Sequence, residues 1–96
     1  MNEVDRIIHE PARLTIMALL SGAEEVDFLF LMRETELTKG NLSSHLAKLE
    51  EAGYVAVRKA FVDRKPTSWY SLTPAGQKAL KIHLKAIEAL IKSANL

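Results

Sequence analysis

The stretch Thr38-Lys39-Gly40-Asn41-Leu42-Ser43-Ser44-His45-Leu46-Ala47-Lys48 sets hydrogen-bonding side chains among small residues. Asparagine can pair bidentately with adenine, and lysine can donate to guanine O6 and N7 or to a phosphate. Small polar side chains let a helix settle into a groove about 12 Å wide without clashes. A second basic cluster, Asp63-Arg64-Lys65-Pro66, follows Arg58 and Lys59. A basic tip of this kind suits phosphate or minor-groove contact. A solvated helix face and a polar turn use the same residue types, so the elements that carry these clusters decide between the readings.

Other chemistries find little support. The chain has no cysteine, which removes disulfides, cysteine-based zinc sites and thiol nucleophiles. His9, His45 and His83 are far apart in sequence and offer no i, i+4 ligand pair, so no metal site is expected. There is no nucleophile–base pair and no glycine-rich phosphate loop. The expectation is therefore a protein without catalysis, metal or cofactor.

The chain has 96 residues, 48% hydrophobic and 26% charged, which suits one domain spanning 1–96. Its longest apolar runs, Ile16–Leu20 and Phe28–Met32, fall far short of the roughly 20 residues that span a bilayer. The opening MNEVDRIIHE mixes acids with apolar residues and is unlike a secretory leader, so the expected location is cytoplasmic, with no membrane partner. The net charge of +1 hides a polarity. Residues 1–36 hold three basic and eight acidic side chains, a net of −5, and residues 37–96 hold ten and four, a net of +6. Such a chain can turn one basic face toward a polyanion.

The elements follow from period and punctuation. Pro11 suits a first helical turn, and Leu14, Met17, Ala18 and Ser21 keep a helical period until Gly22, giving a helix over about 11–21. A short, looser helix is expected before it, with Val4, Ile7 and Ile8 on one side. Glu24 to Asp27 fits a very short strand, and Asp27 caps a second helix that ends near Glu36. Thr38 caps a third helix, about 39–52, whose Leu42, Leu46 and Leu49 form its apolar stripe. The joint of three or four residues between these two helices has helix-turn-helix spacing. β-formers then make a hairpin over about 55–72, with a turn expected at Val62–Pro66 and a second strand from Thr67 to Leu72. Thr73-Pro74 starts a last helix, about 74–94.

The result is a mainly α chain with a small β-hairpin, in the order of a winged helix-turn-helix. Three runs carry a closer likeness: His9-Glu10-Pro11-Ala12-Arg13-Leu14, Gly40 through Val55, and Leu72-Thr73-Pro74-Ala75-Gly76. In them the chain resembles small bacterial and archaeal winged-helix regulators of the MarR/ArsR-like superfamily, above all the short stand-alone winged helix DNA-binding domain family. The resemblance implies a homodimeric transcription regulator that binds duplex DNA sequence-specifically. The third helix would enter the major groove and the wing would meet the backbone or minor groove. The candidate DNA-binding residues are Thr38, Lys39, Asn41, Ser43, Ser44, His45, Lys48, Arg58, Arg64 and Lys65. In regulators of this kind a wing-tip arginine often enters the minor groove, and Arg64 is the matching residue. His45, also usual in the family, either reaches a phosphate or packs. A winged-helix interaction module without DNA binding is the alternative, and it would more often expose Leu, Phe or Met on the third helix.

The last helix is longer than one such domain needs. Leu80, Leu84, Ile87, Ile91 and Ala94 step by 4, 3, 4 and 3 residues, a heptad-like stripe. Two heptads suit a seam against a partner subunit. Leu84, Ile87 and Ile91, with Val4, Ile7 and Ile8, are the expected dimer contacts, and the expected DNA is a palindrome.

Overall fold

A computed structural model describes residues 5–95. Helix α1 (Pro11–Ser21) is followed by strand β1 (Val26–Asp27), helices α2 (Phe28–Thr35) and α3 (Lys39–Glu51), strands β2 (Val55–Val62) and β3 (Lys65–Leu72), and helix α4 (Pro74–Ser93). The three strands form an antiparallel sheet in the order β1-β3-β2. This is the winged helix fold, with the extended C-terminal helix expected of it.

Local chemistry explains the boundaries. Asp27 caps α2 by accepting the Phe30 N–H at 2.8 Å, and Thr38 caps α3 by accepting the Asn41 N–H at 3.1 Å. Thr73 does the same for α4 through Gly76 N–H at 3.0 Å, while Pro74 occupies the first turn, where no N–H is needed. Glu10 caps α1, taking the N–H groups of Ala12 and Arg13 at 3.0 and 3.2 Å.

Leu42, Leu46 and Leu49 of α3 meet Ile16, Met17 and Leu20 of α1, Leu31 of α2 and Leu80 of α4 in one buried core. Val26, Val55 and Tyr70 close it from the sheet. The Leu72-Thr73-Pro74-Ala75-Gly76 run locks α4 onto the end of α3. Thr73 N–H donates to Tyr54 O at 3.0 Å, and its hydroxyl donates to Gly53 O at 2.6 Å. Gly76 then lies so close that a Cβ there would sit 2.1 Å from the Tyr54 carbonyl oxygen. Any larger residue must push the helix off its seat.

Two expectations need correcting. No helix forms ahead of α1 among the described residues. Asp5 instead folds 5–9 into a turn: its carboxylate accepts the N–H groups of Ile7 and Ile8 at 3.0 and 3.3 Å, and its carbonyl accepts the His9 N–H at 2.9 Å. That turn drives Ile8 into the chain's own core, fully buried, with Ile7 packed beside it. Ile8 therefore has no surface left for a partner subunit. Val4 lies outside the described residues.

The hairpin is also tighter than the sequence suggests. Its strands pair from Val55↔Leu72 out to Val62↔Lys65, leaving only Asp63 and Arg64 in the loop. Both have positive φ, 50° and 66°, the signature of a two-residue type I′ turn. In such a hairpin the pair beside the loop is hydrogen-bonded and the next pair is not. The next pair is Phe61 and Pro66, so the N–H that proline lacks is not needed by β2 and Pro66 stays inside the strand.

Candidate nucleic-acid interface

Three buried leucines fix the rotation of α3, so its other face must look outward. Gly40, Ser44, Ala47 and Glu51 form the central exposed row, at i, i+4, i+7 and i+11. Asn41 and Lys48 flank it on one side, with Lys39 and Ser43 on the other, all exposed. No large apolar side chain stands on this face. The acids Glu50 and Glu51 fall at its C-terminal end, and the positive end of the helix dipole lies at Thr38 and Lys39. An anion is therefore favoured at the first turns and disfavoured at the last. Three members of this row, Gly40, Ala47 and Glu51, lie outside the set that the sequence points to. Ala47 shows itself only by its spacing from Gly40 and Ser44. At Gly40 nothing lies within 4 Å of where a Cβ would stand, so the fold does not require glycine there.

His45 sits on the flank, half-buried. Its Nδ1 lies 3.3 Å from Glu10 Oε2 and 3.2 Å from Arg13 Nη1. Arg13 is itself held by the N-terminal turn, donating from Nε to Ile7 O at 2.6 Å and from Nη2 to Arg6 O at 3.4 Å. His45 thus ties α3 to the start of α1 and leaves only its Nε2 for any outside contact. Partial burial alone would push the Glu10 carboxyl up. The N–H groups of Ala12 and Arg13, with His45 and Arg13 nearby, outweigh it and hold that carboxyl below its usual range.

The wing carries the second basic group. Arg64 and Lys65 are exposed at its tip, clear of any ion pair among the described residues. Arg58 is placed differently. Its Nε and Nη2 donate to the two carboxylate oxygens of Glu25 at 3.0 and 2.8 Å, and its guanidinium lies 5.9 Å from the centre of the Trp69 ring. The bidentate bond to Arg58 holds the Glu25 carboxyl low, and the same bond raises the arginine further. Arg58 must leave Glu25, or share it, to meet a phosphate. Sequence spacing could not reveal this pair, because its partners are 33 residues apart.

No group of three or more histidine, cysteine or carboxylate side chains able to hold a metal occurs among the described residues. No helix there is long and apolar enough to cross a membrane.

Two helices joined by a short turn, a buried leucine stripe and a paired wing define a winged helix-turn-helix. The chain belongs to the winged helix DNA-binding domain family, whose profile matches residues 12–91. It is 35% identical over 88 residues to an uncharacterised protein of Methanocaldococcus jannaschii, covering 92% of this chain and 96% of that one. Among solved structures, it matches a transcriptional regulator homologue from Pyrococcus horikoshii with a TM-score of 0.90 and 33% identity, covering 96% of this chain and 91% of that one. A PadR-like transcription factor from Bacteroides fragilis shares the fold, with a TM-score of 0.77 at 19% identity over 86% of this chain and 85% of that one.

Proposed function

We propose that the protein is a transcriptional regulator that binds duplex DNA sequence-specifically as a two-fold homodimer. The observation that carries this reading is the exposed face of α3, small and polar in its first three turns, with the basic wing tip Arg64-Lys65 in the same fold. Asn41 and Ser44 read base edges, with Lys39, Ser43 and Lys48 beside them. Thr38, at the helix start, faces the backbone, where the dipole favours phosphate. Arg64 and Lys65 hold the flanking backbone or minor groove. Arg58 joins them only on release from Glu25, and His45 contributes through Nε2 alone. An interaction module would expose bulky apolar groups on α3, and this helix exposes none.

The dimer reading rests on α4. Leu84 and Ile91 are 47% and 46% exposed, and Ile82 and Leu90 are 59% and 70% exposed. The apolar arc is thus wider than the heptad stripe alone. An apolar groove of about 760 Å³ runs beside it, lined by Leu14, Tyr54, Ile82, His83, Ile87 and Leu90. A second α4 seated along this face would cover an apolar surface unusual for a monomer. Two-fold symmetry would place the two α3 helices about 34 Å apart, one turn of DNA, or a multiple of it, and calls for a palindromic site.

The test is a titration of duplex binding against salt. Affinity should fall with a log–log slope of about −0.9 for each neutralised phosphate. Binding that ignores salt between about 50 and 200 mM would overturn the proposal.

A further inference from the structure

The wing outruns the sheet that supports it. β1 pairs only with Trp69 and Tyr70, so among the described residues the ribbon from Lys59↔Ser68 outward has no third strand. Side chains alternate along it. Val55 and Val57 face the core, and Lys59 and Phe61 continue that face past the core's edge. Phe61 is 76% exposed, more than any other large apolar side chain among the described residues. Its cross-strand neighbour is Pro66, and directly opposed side chains of an antiparallel pair stand close together on one face. The tip therefore carries an apolar pair with no core behind it, ringed by Lys59, Arg64 and Lys65 against the single acid Asp63.

An aromatic ring left in water at the end of a two-stranded ribbon does little for the fold beyond its cross-strand pairing with Pro66. The charges around it select a polyanion, and the sugars of duplex DNA offer apolar surface between phosphates. We infer that Phe61, braced by Pro66, is an apolar wedge that packs on the deoxyribose faces of bound duplex DNA beside the backbone contact of Arg64. The inference rests on the DNA-binding reading above and adds a non-ionic contact to it. Phenylalanine and proline are among the apolar side chains that proteins insert as wedges into the minor groove of duplex DNA.

The wedge and the basic contacts separate by salt. Phe61→Ser should bind a labelled duplex about tenfold more weakly than the wild type at every salt concentration, giving parallel log–log lines. Arg64→Ala should give a shallower line, because a counterion-releasing contact is gone. Phe61→Leu should restore most of the affinity. Thermal melting and sedimentation of Phe61→Ser should match the wild type, since the ring is exposed in the free protein. Wild-type affinity in Phe61→Ser would overturn the wedge, as would a slope as shallow as that of Arg64→Ala. A change in its oligomeric state would overturn it too, because Phe61 would then be seated on a second copy. If the wild type itself shows no salt-dependent duplex binding, the DNA reading fails and takes the wedge with it.

Discussion

Arg64→Gly should make the protein more stable and a poorer DNA binder. Arg64 holds φ at 66° in the tight turn at the wing tip. A left-handed conformation costs a residue with a Cβ about 1–2 kcal/mol, and glycine adopts it freely. Glycine loses more backbone entropy on folding, which takes back about 0.5–1 kcal/mol. The net gain is about 0.5–1 kcal/mol, or roughly 4 °C in Tm for a chain of this length, at fixed protein concentration. The same change removes a cation from the tip. If Arg64 meets one phosphate, the log–log salt slope should become shallower by about 0.9 per subunit. Arg64→Ala is the control, since it loses the cation and keeps the strain. Calorimetry and salt-dependent anisotropy on the three proteins measure both effects. A strained arginine kept where glycine would fold better points to a role outside folding. Arg64→Gly that binds DNA at full strength with an unchanged slope would refute that argument.

Other predictions follow the same residues. Asn41→Ala and Ser44→Ala should each lower the preference for the selected sequence by about 1–3 kcal/mol while sparing non-specific binding, read by competition between specific and random duplexes. Gly40→Ala should raise Tm through a helix gain of about 0.5–1 kcal/mol, because the new methyl meets nothing in the free protein, and should weaken DNA binding if the backbone there approaches the groove. Ile87→Asp with Ile91→Asp should give a folded but weakened monomer in sedimentation that loses palindrome binding and keeps some non-specific affinity. The Tyr54 hydroxyl donates to Asp5 Oδ2 at 2.6 Å, and that bond, helped by burial and the Asp5 charge, pushes its pKa up to about 12. The folded state then holds this proton more tightly than the unfolded chain. The contribution is complete below about pH 10 and is lost as pH rises toward 12. Spectrophotometric titration should show late phenol ionisation, and Asp5→Asn should bring it earlier.

The elements were legible wherever local chemistry sets them. Caps at Asp27, Thr38 and Thr73, prolines at the first turns of α1 and α4, and the leucine stripe of α3 all act within a few residues. Contacts between distant segments were not. The N-terminal turn reads as a helix until Asp5 is seen taking the N–H groups of Ile7 and Ile8. Arg58 looks like a free wing cation until Glu25 comes beside it, and His45 is held by Glu10 and Arg13 from another helix. The sequence suggests a wider turn because proline usually marks a break, whereas here Pro66 falls at a ladder position that needs no N–H. Phe61 reads as an ordinary strand residue, since only the short pairing of β1 shows that no core reaches it.

Whether α3 and the wing read duplex DNA with two-fold symmetry is tested most directly by selection of bound fragments from a random duplex pool. Two-fold binding predicts a palindromic consensus whose half-sites lie one helical turn apart, about 10 base pairs, or a multiple of it. A pool that stays random after repeated rounds, or a single asymmetric site bound at full strength by a monomer, would contradict it.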